Sequence, residues 1–260
     1  MKIAIIGAGN LATQLGKALL KNGHDILQVY SRTIQSAQTL AQQVGGTPIN
    51  NIDFLTYHAD VYIISVTDAA LPDLIPQICR GREEHVFLHT AGSIPMDVFK
   101  GITLHYGVLY PLQTFSKNRN VDFGEVPCFV EGNDDATLRM ITSLAESVSR
   151  FVEPMNSEDR KYLHLSAVWA CNFVNHCYDV ASQVLEKRHI PFNVLLPLID
   201  ETARKVHDLS PAQAQTGPAK RYDQNVIRAQ AMLMKPDPLL KDLYERMSVS
   251  IHRSNERMND

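Results

Sequence analysis

The sequence has no apolar run approaching the roughly 18 to 20 residues that span a bilayer, so a membrane-embedded role is not expected. Only four cysteines occur, Cys79, Cys128, Cys171 and Cys177, scattered without a CxxC or zinc-ribbon spacing. A disulfide framework is therefore not expected, and the thiols read as reduced and mostly buried. No His, Asp and Glu cluster has a coherent metal-ligand spacing, and no Ser-His-Asp nucleophile elbow is present. Charge of one sign is also lacking: the formal net charge is -3. That balance leaves no electrostatic footprint for nucleic acid or an anionic membrane. The apolar start Met1-Lys2-Ile3-Ala4-Ile5-Ile6 breaks at Gly7 without a signal-peptide core, which favours a cytoplasmic reading. Internal repeats and low-complexity segments are missing too.

What is present is ordinary globular material, 45% hydrophobic and 20% charged over 260 residues, enough for two domains. The first part alternates short apolar runs with helical patterns, as a parallel α/β sheet does. Strands are expected at Lys2 to Ile6, Ile26 to Tyr30, Val61 to Val66, Val86 to His89, Thr103 to Val108 and Val126 to Glu131. Helices are expected at Asn10 to Lys21, Gln35 to Val44, Leu71 to Cys79 and Asp134 to Ser149. After Pro154 the pattern becomes helical throughout. Ser157 has the chemistry of an N-cap, and no Gly or Pro interrupts the chain from there to about Lys187. Further helices are expected at Phe192 to His207, Ala219 to Met234 and Pro238 to Arg253. The domains expected are residues 1–153, a Rossmann dinucleotide-binding unit, and residues 154–260, an all-helical substrate and dimerisation unit.

Gly7-Ala8-Gly9-Asn10-Leu11-Ala12 follows the first strand and opens the first helix, the context that gives a glycine-rich loop its meaning. Gly7 permits the tight turn. Gly9 lets the backbone approach a pyrophosphate seated on free helix amides, and Ala12 keeps helix and strand close. At the end of the second strand stands Ser31-Arg32-Thr33, where an enzyme reading NAD carries a carboxylate. Arg32 has the planar fork for a 2′-phosphate, and Ser31 and Thr33 have hydroxyls to donate, so the cofactor expected is NADP. Val66, Thr67 and Asp68 follow another strand and are expected beside the nicotinamide half.

With these residues in view, the sequence resembles the Rossmann families that include pyrroline-5-carboxylate reductase and the NADP-dependent β-hydroxyacid dehydrogenases. The loop is similar to the pyrroline-5-carboxylate reductase form. Ser65-Val66-Thr67-Asp68, His89-Thr90-Ala91-Gly92-Ser93 and Tyr110-Pro111-Leu112-Gln113-Thr114-Phe115 resemble a narrower group. Its members are Rossmann-like NADP oxidoreductases with a C-terminal helical domain of unknown function. Tyr162-Leu163-His164, Asn172 and Thr216-Gly217-Pro218-Ala219-Lys220-Arg221 also match it. The resemblance implies an NADP-dependent oxidoreductase. Two departures stand out: Tyr110 where that group often has His, and Val168 where β-hydroxyacid dehydrogenases place a lysine. Lysine-assisted chemistry is therefore not expected, and proton transfer at position 110 is in doubt.

Candidate chemistry follows from position. His89 and Ser93 lie at or just after a strand end, and a histidine suits proton transfer near neutral pH. His164, Val168, Asn172 and His176 fall at i, i+4, i+8 and i+12 of the long helix, a drifting stripe along one side. His164 and Asn172 are the candidates there. The function expected is hydride transfer between NADP(H) and a small polar carbonyl, hydroxyl or imine compound, in a homodimer. Two other readings remain open: an imine reductase similar to pyrroline-5-carboxylate reductase, and an NADP(H) sensor without turnover.

Overall fold

A computed structural model describes residues 1–259, which divide into two compact units, one over 1–176 and the other from 177 onward. In the first unit eight strands form one sheet: β1 (Lys2–Ile6), β2 (Asp25–Tyr30), β3 (Thr47–Ile49), β4 (Val61–Ile64), β5 (Val86–His89), β6 (His105–Pro111), β7 (Cys128–Gly132) and β8 (Val152–Pro154). Their spatial order is β3-β2-β1-β4-β5-β6-β7-β8. From β3 to β6 every pairing is parallel, and β7 runs antiparallel to β6. The chain winds outward through β2 and β3, then restarts on the other side of β1 with β4. That reversal opens a crevice at the carboxyl ends of β1 and β4, where open α/β sheets bind ligands. An α/β Rossmann-like sheet followed by helices is what the sequence predicts.

Successive side chains of a strand point to opposite faces, and both faces are buried here. Ile3 and Ile5 pack with Leu15, Leu19, Val29, Leu40 and Ile63 on one face. Ala4 and Ile6 pack with Tyr62, Ile64, Ile75, Phe87 and Phe99 on the other. Helices α1 (Asn10–Lys21), α2 (Ile34–Val44) and α4 (Asp135–Glu146) contribute to the first layer, and α3 (Leu71–Cys79) to the second. Asp134 is the N-cap of α4, its carboxylate accepting from the Thr137 amide at 2.8 Å, rather than a first-turn residue.

Several boundaries differ from expectation. Strand β6 starts two residues later than Thr103 and runs on to Pro111, and β7 starts at Cys128 rather than Val126. Strands β3 and β8 are additions of three residues each. The long helix begins at Ser157, but its cap is Asn156, whose side chain accepts from the Asp159 amide at 2.8 Å. It runs as α5 (Ser157–Ala167), a π-helical turn at Val168–Phe173, and α6 (Val174–Glu186). A π turn takes in extra backbone, so residues beyond it rotate away from the line set before it. The stripe from His164 through Val168 does not continue straight to Asn172 and His176.

The second unit holds α7 (Leu196–Asp208), α8 (Pro211–Ala214), α9 (Pro218–Arg221), α10 (Gln224–Leu233) and α11 (Pro238–Asn259). The single helix expected over Ala219 to Met234 is broken at Tyr222, which adopts a left-handed backbone before Asp223 caps α10. Cys79 and Cys128 are buried as expected, whereas Cys171 and Cys177 are exposed on the long helix. No helix among the described residues is long and apolar enough to cross a membrane.

Candidate active site at the strand ends

The glycine loop sits where β1 ends. Gly7 has φ +116°, and a Cβ there would collide with the Ser65 carbonyl oxygen at the end of β4. Only glycine lets the two strand ends approach this closely. Gly9 caps α1 without a side-chain hydrogen bond, and the first turn of α1 contains no acidic residue. Its amide end is therefore electropositive, and nothing lies within 4 Å of where a Gly9 Cβ would stand. Asn10 donates to the Phe115 carbonyl at 3.0 Å and Gln14 to that of Ser116 at 2.8 Å. Those bonds bind α1 to the loop that follows β6. Ala12 is buried under the helix and Leu11 is half-buried.

At the end of β2, Ser31 is half-buried while Arg32 and Thr33 are exposed. Arg32 forms no ion pair among the described residues, and Thr33 donates to Ser36 at 2.8 Å. No carboxylate occupies this strand end, so the guanidinium is available to an anionic group.

The chemistry-bearing side chains gather farther along the same edge. Val66 packs beside Gly7, and Thr67 leads into a short 3-10 turn, Asp68–Ala70. The Ser93 hydroxyl, beyond β5, donates to the Asp68 carboxylate. Tyr110, near the carboxyl end of β6, makes a 2.9 Å hydrogen bond to His164 Nδ1. Gly92 leaves room for that imidazole: a Cβ there would lie 2.5 Å from Nδ1. Sequence reasoning left Tyr110 in doubt because the group it resembles often has His there, and a partner 54 residues away carries no periodic signal.

Helix α5 is pinned so that His164 arrives there. Glu131 on β7 accepts from the Ser157 amide at 2.9 Å and from its hydroxyl at 2.7 Å. Arg160, 1% exposed, meets the same carboxylate at 2.5 Å and donates to the Ile94 carbonyl at 2.8 Å. His164 lies one turn farther along. Neither Glu131 nor Arg160 was a sequence candidate, although a lone carboxylate ending an apolar strand was a usable signal.

His89 is not placed for direct proton exchange. It is 0% exposed, its Nδ1 accepts from the Ala91 amide at 3.1 Å, and its ring stacks on Phe99. Burial, with the nearby Arg160 charge, pushes its pKa down to about 3, so it stays neutral. It holds the strand-end turn. Asn172 lies exposed in the π turn, and the structure shows it no hydrogen-bond partner among the described residues. Asp68, Ser93, Tyr110 and His164 are thus brought together, while His89 stands behind them. Two cavities of about 520 and 620 Å³ elsewhere on this unit share no residue with the cluster.

Comparison with known proteins bears on the family and the fold. Residues 2–91 match a family model described as "NADP oxidoreductase coenzyme F420-dependent", and residues 126–251 one described as a domain of unknown function, DUF2520. The chain is 50% identical to "putative NADP oxidoreductase BF3122" from Bacteroides fragilis, over 97% of this chain and 98% of that one, with TM-score 0.94. An imine reductase from Myxococcus stipitatus, solved with NADP+, shares the fold at TM-score 0.67 and 14% identity, covering 99% and 95% of the two chains. A curated relative, glutamyl-tRNA reductase of Desulfitobacterium hafniense, is 28% identical over 162 residues, 60% of this chain; the chain spans 35% of that protein's length.

Proposed function

The chain belongs to the oxidoreductase family that joins an NADP-oxidoreductase domain to a helical domain of unknown function, and from that premise we propose how it works. It binds NADP(H) and transfers a hydride to or from a small polar carbonyl, hydroxyl or imine compound. The observation that carries this reading is the convergence of the glycine loop, Asp68–Ser93 and Tyr110–His164 on one sheet edge.

The pyrophosphate is held by Gly7, Gly9, Asn10, Leu11 and Ala12, through backbone amides at the open start of α1. Ser31, Arg32 and Thr33 take the 2′-phosphate, and Val66, Thr67 and Asp68 border the nicotinamide half. When bound, the nicotinamide supplies or accepts the hydride. The chain's part is to orient the reacting carbon and meet charge on its heteroatom. His164 and Ser93 are the catalytic candidates that reach this edge, while Asn172, also a catalytic candidate from sequence, lies exposed in the π turn. His89 acts from behind by fixing the turn that presents Gly92 and Ser93.

Residues 1–153 are the cofactor part and 154–260 the substrate and dimerisation part. In the second unit Leu198, Leu233 and Leu239 are apolar side chains 63%, 73% and 67% exposed. A second copy of the chain covers them in a homodimer. The function is tested by following NADPH consumption over a panel of keto acids, aldehydes and cyclic imines. Turnover of at least one class is expected. Tight NADPH binding with no turnover on any of them would replace this reading with a sensor.

A further inference from the structure

We propose that Tyr110 is a positioning residue that fixes the tautomer of His164, so that His164 presents Nε2–H as the hydrogen-bond donor to the substrate's heteroatom. The proposal rests on the oxidoreductase reading for its use, but not for its geometry. A neutral imidazole has one donor nitrogen and one acceptor, and the bond made at one nitrogen decides the role of the other. Here Nδ1 is sealed between Tyr110 Oη, at 2.9 Å, and the bare backbone of Gly92. The two rings meet edge to face, 5.9 Å between centroids, which leaves the phenol in line with that nitrogen.

Tyr110 is almost wholly buried, and burial raises its pKa, with the Arg160 charge acting in the opposite direction and Asp68 reinforcing it. The phenol therefore keeps its proton near neutral pH, and in the proposed arrangement it donates that proton to Nδ1. The proton of the neutral ring then resides on Nε2. That nitrogen has no hydrogen-bond partner among the described residues, yet it is not among the buried unpartnered atoms, so solvent reaches it. A neutral N–H aimed at a carbonyl or imine needs no reorganisation as charge develops there. The substitution of Tyr for His at position 110 is thus no loss. It supplies a hydrogen-bonding partner that stays neutral, holding the second ring in one state.

The test uses the full-length protein, labelled with 15N-histidine and free of cofactor, with His164 assigned by the signal missing in His164→Gln. Two-bond 15N–1H spectra are expected to show the neutral Nε2–H form for His164. In Tyr110→Phe the Nδ1–H form should appear. With a substrate found in the panel above, kcat should fall about tenfold or more while KM changes little. An Nδ1–H form in the wild type, or an unaltered tautomer in Tyr110→Phe, would overturn the proposal. If the variant fails to fold, a wild-type spectrum free of the minor Nδ1–H form that an unconstrained histidine shows carries the proposal, and a mixture of the two forms overturns it. Absence of any turnover would count against the oxidoreductase reading and leave the tautomer seen in the spectra unaffected.

Discussion

The sheet and the helices that follow it bury themselves to very different extents. Ile3, Ile6, Ile64, Leu88 and Val108 are all 0% exposed, with helices or turns covering both faces of the strands. In the second unit Leu198, Leu233 and Leu239 stand mostly in water. The sheet is a packed body, and Ser93, Tyr110 and His164 are held at its strand ends by hydrogen bonds. The second unit leaves more of its leucines in water, the surface that the proposed homodimer would cover.

The largest effect should come from the buried lock under the site. Arg160→Met leaves the Glu131 carboxylate without its cationic partner, and urea unfolding should show a loss of about 3 to 5 kcal/mol. His164 should lose its place at the same time, because α5 is docked through that pair. A change under about 1 kcal/mol would mean that the sheet does not depend on this lock. A smaller effect is expected from acid. His89 has a folded pKa of about 3 against 6.5 when unfolded, so between these values only the unfolded chain takes up the proton. Stability should therefore fall as pH drops below about 6.5, by up to about 1.4 kcal/mol per unit from this group. His89→Asn should lessen that slope in unfolding curves taken at pH 7, 6 and 5. The smallest stability change belongs to the helices: Leu198→Glu should alter chain stability by only about 0.5 kcal/mol. Sedimentation should instead show weakened self-association. A stability loss as large as that of Arg160→Met would erase the contrast between the regions.

The sheet was legible because its strands are apolar on both faces, and β1, β4 and β5 carry continuous runs of such residues. Strands β3 and β8 were not, being three residues long, each with a proline that suits a sheet edge. The π turn and the break at Tyr222 are backbone events that leave helical periodicity nearly intact, so pattern alone ran straight through them. Within the site, the glycine loop spoke through its local context. The Tyr110–His164 bond and the Glu131–Arg160 pair join residues 54 and 29 apart, and only folding reveals them. His89 misled because the strand end that carries it is sealed by Phe99 and the turn after it.

The central claim is that the open start of α1 and the end of β2 hold NADP(H). Calorimetric titration of NADPH and NADH into wild type, Gly9→Ala and Arg32→Ala measures it most directly. Gly9→Ala should keep its thermal stability, since a Cβ there meets no atom within 4 Å, yet bind both cofactors at least about tenfold more weakly. Arg32→Ala should weaken NADPH by about ten- to a hundredfold and leave NADH nearly unchanged. Equal losses for the two cofactors in Arg32→Ala, or undiminished binding in Gly9→Ala, would contradict that claim.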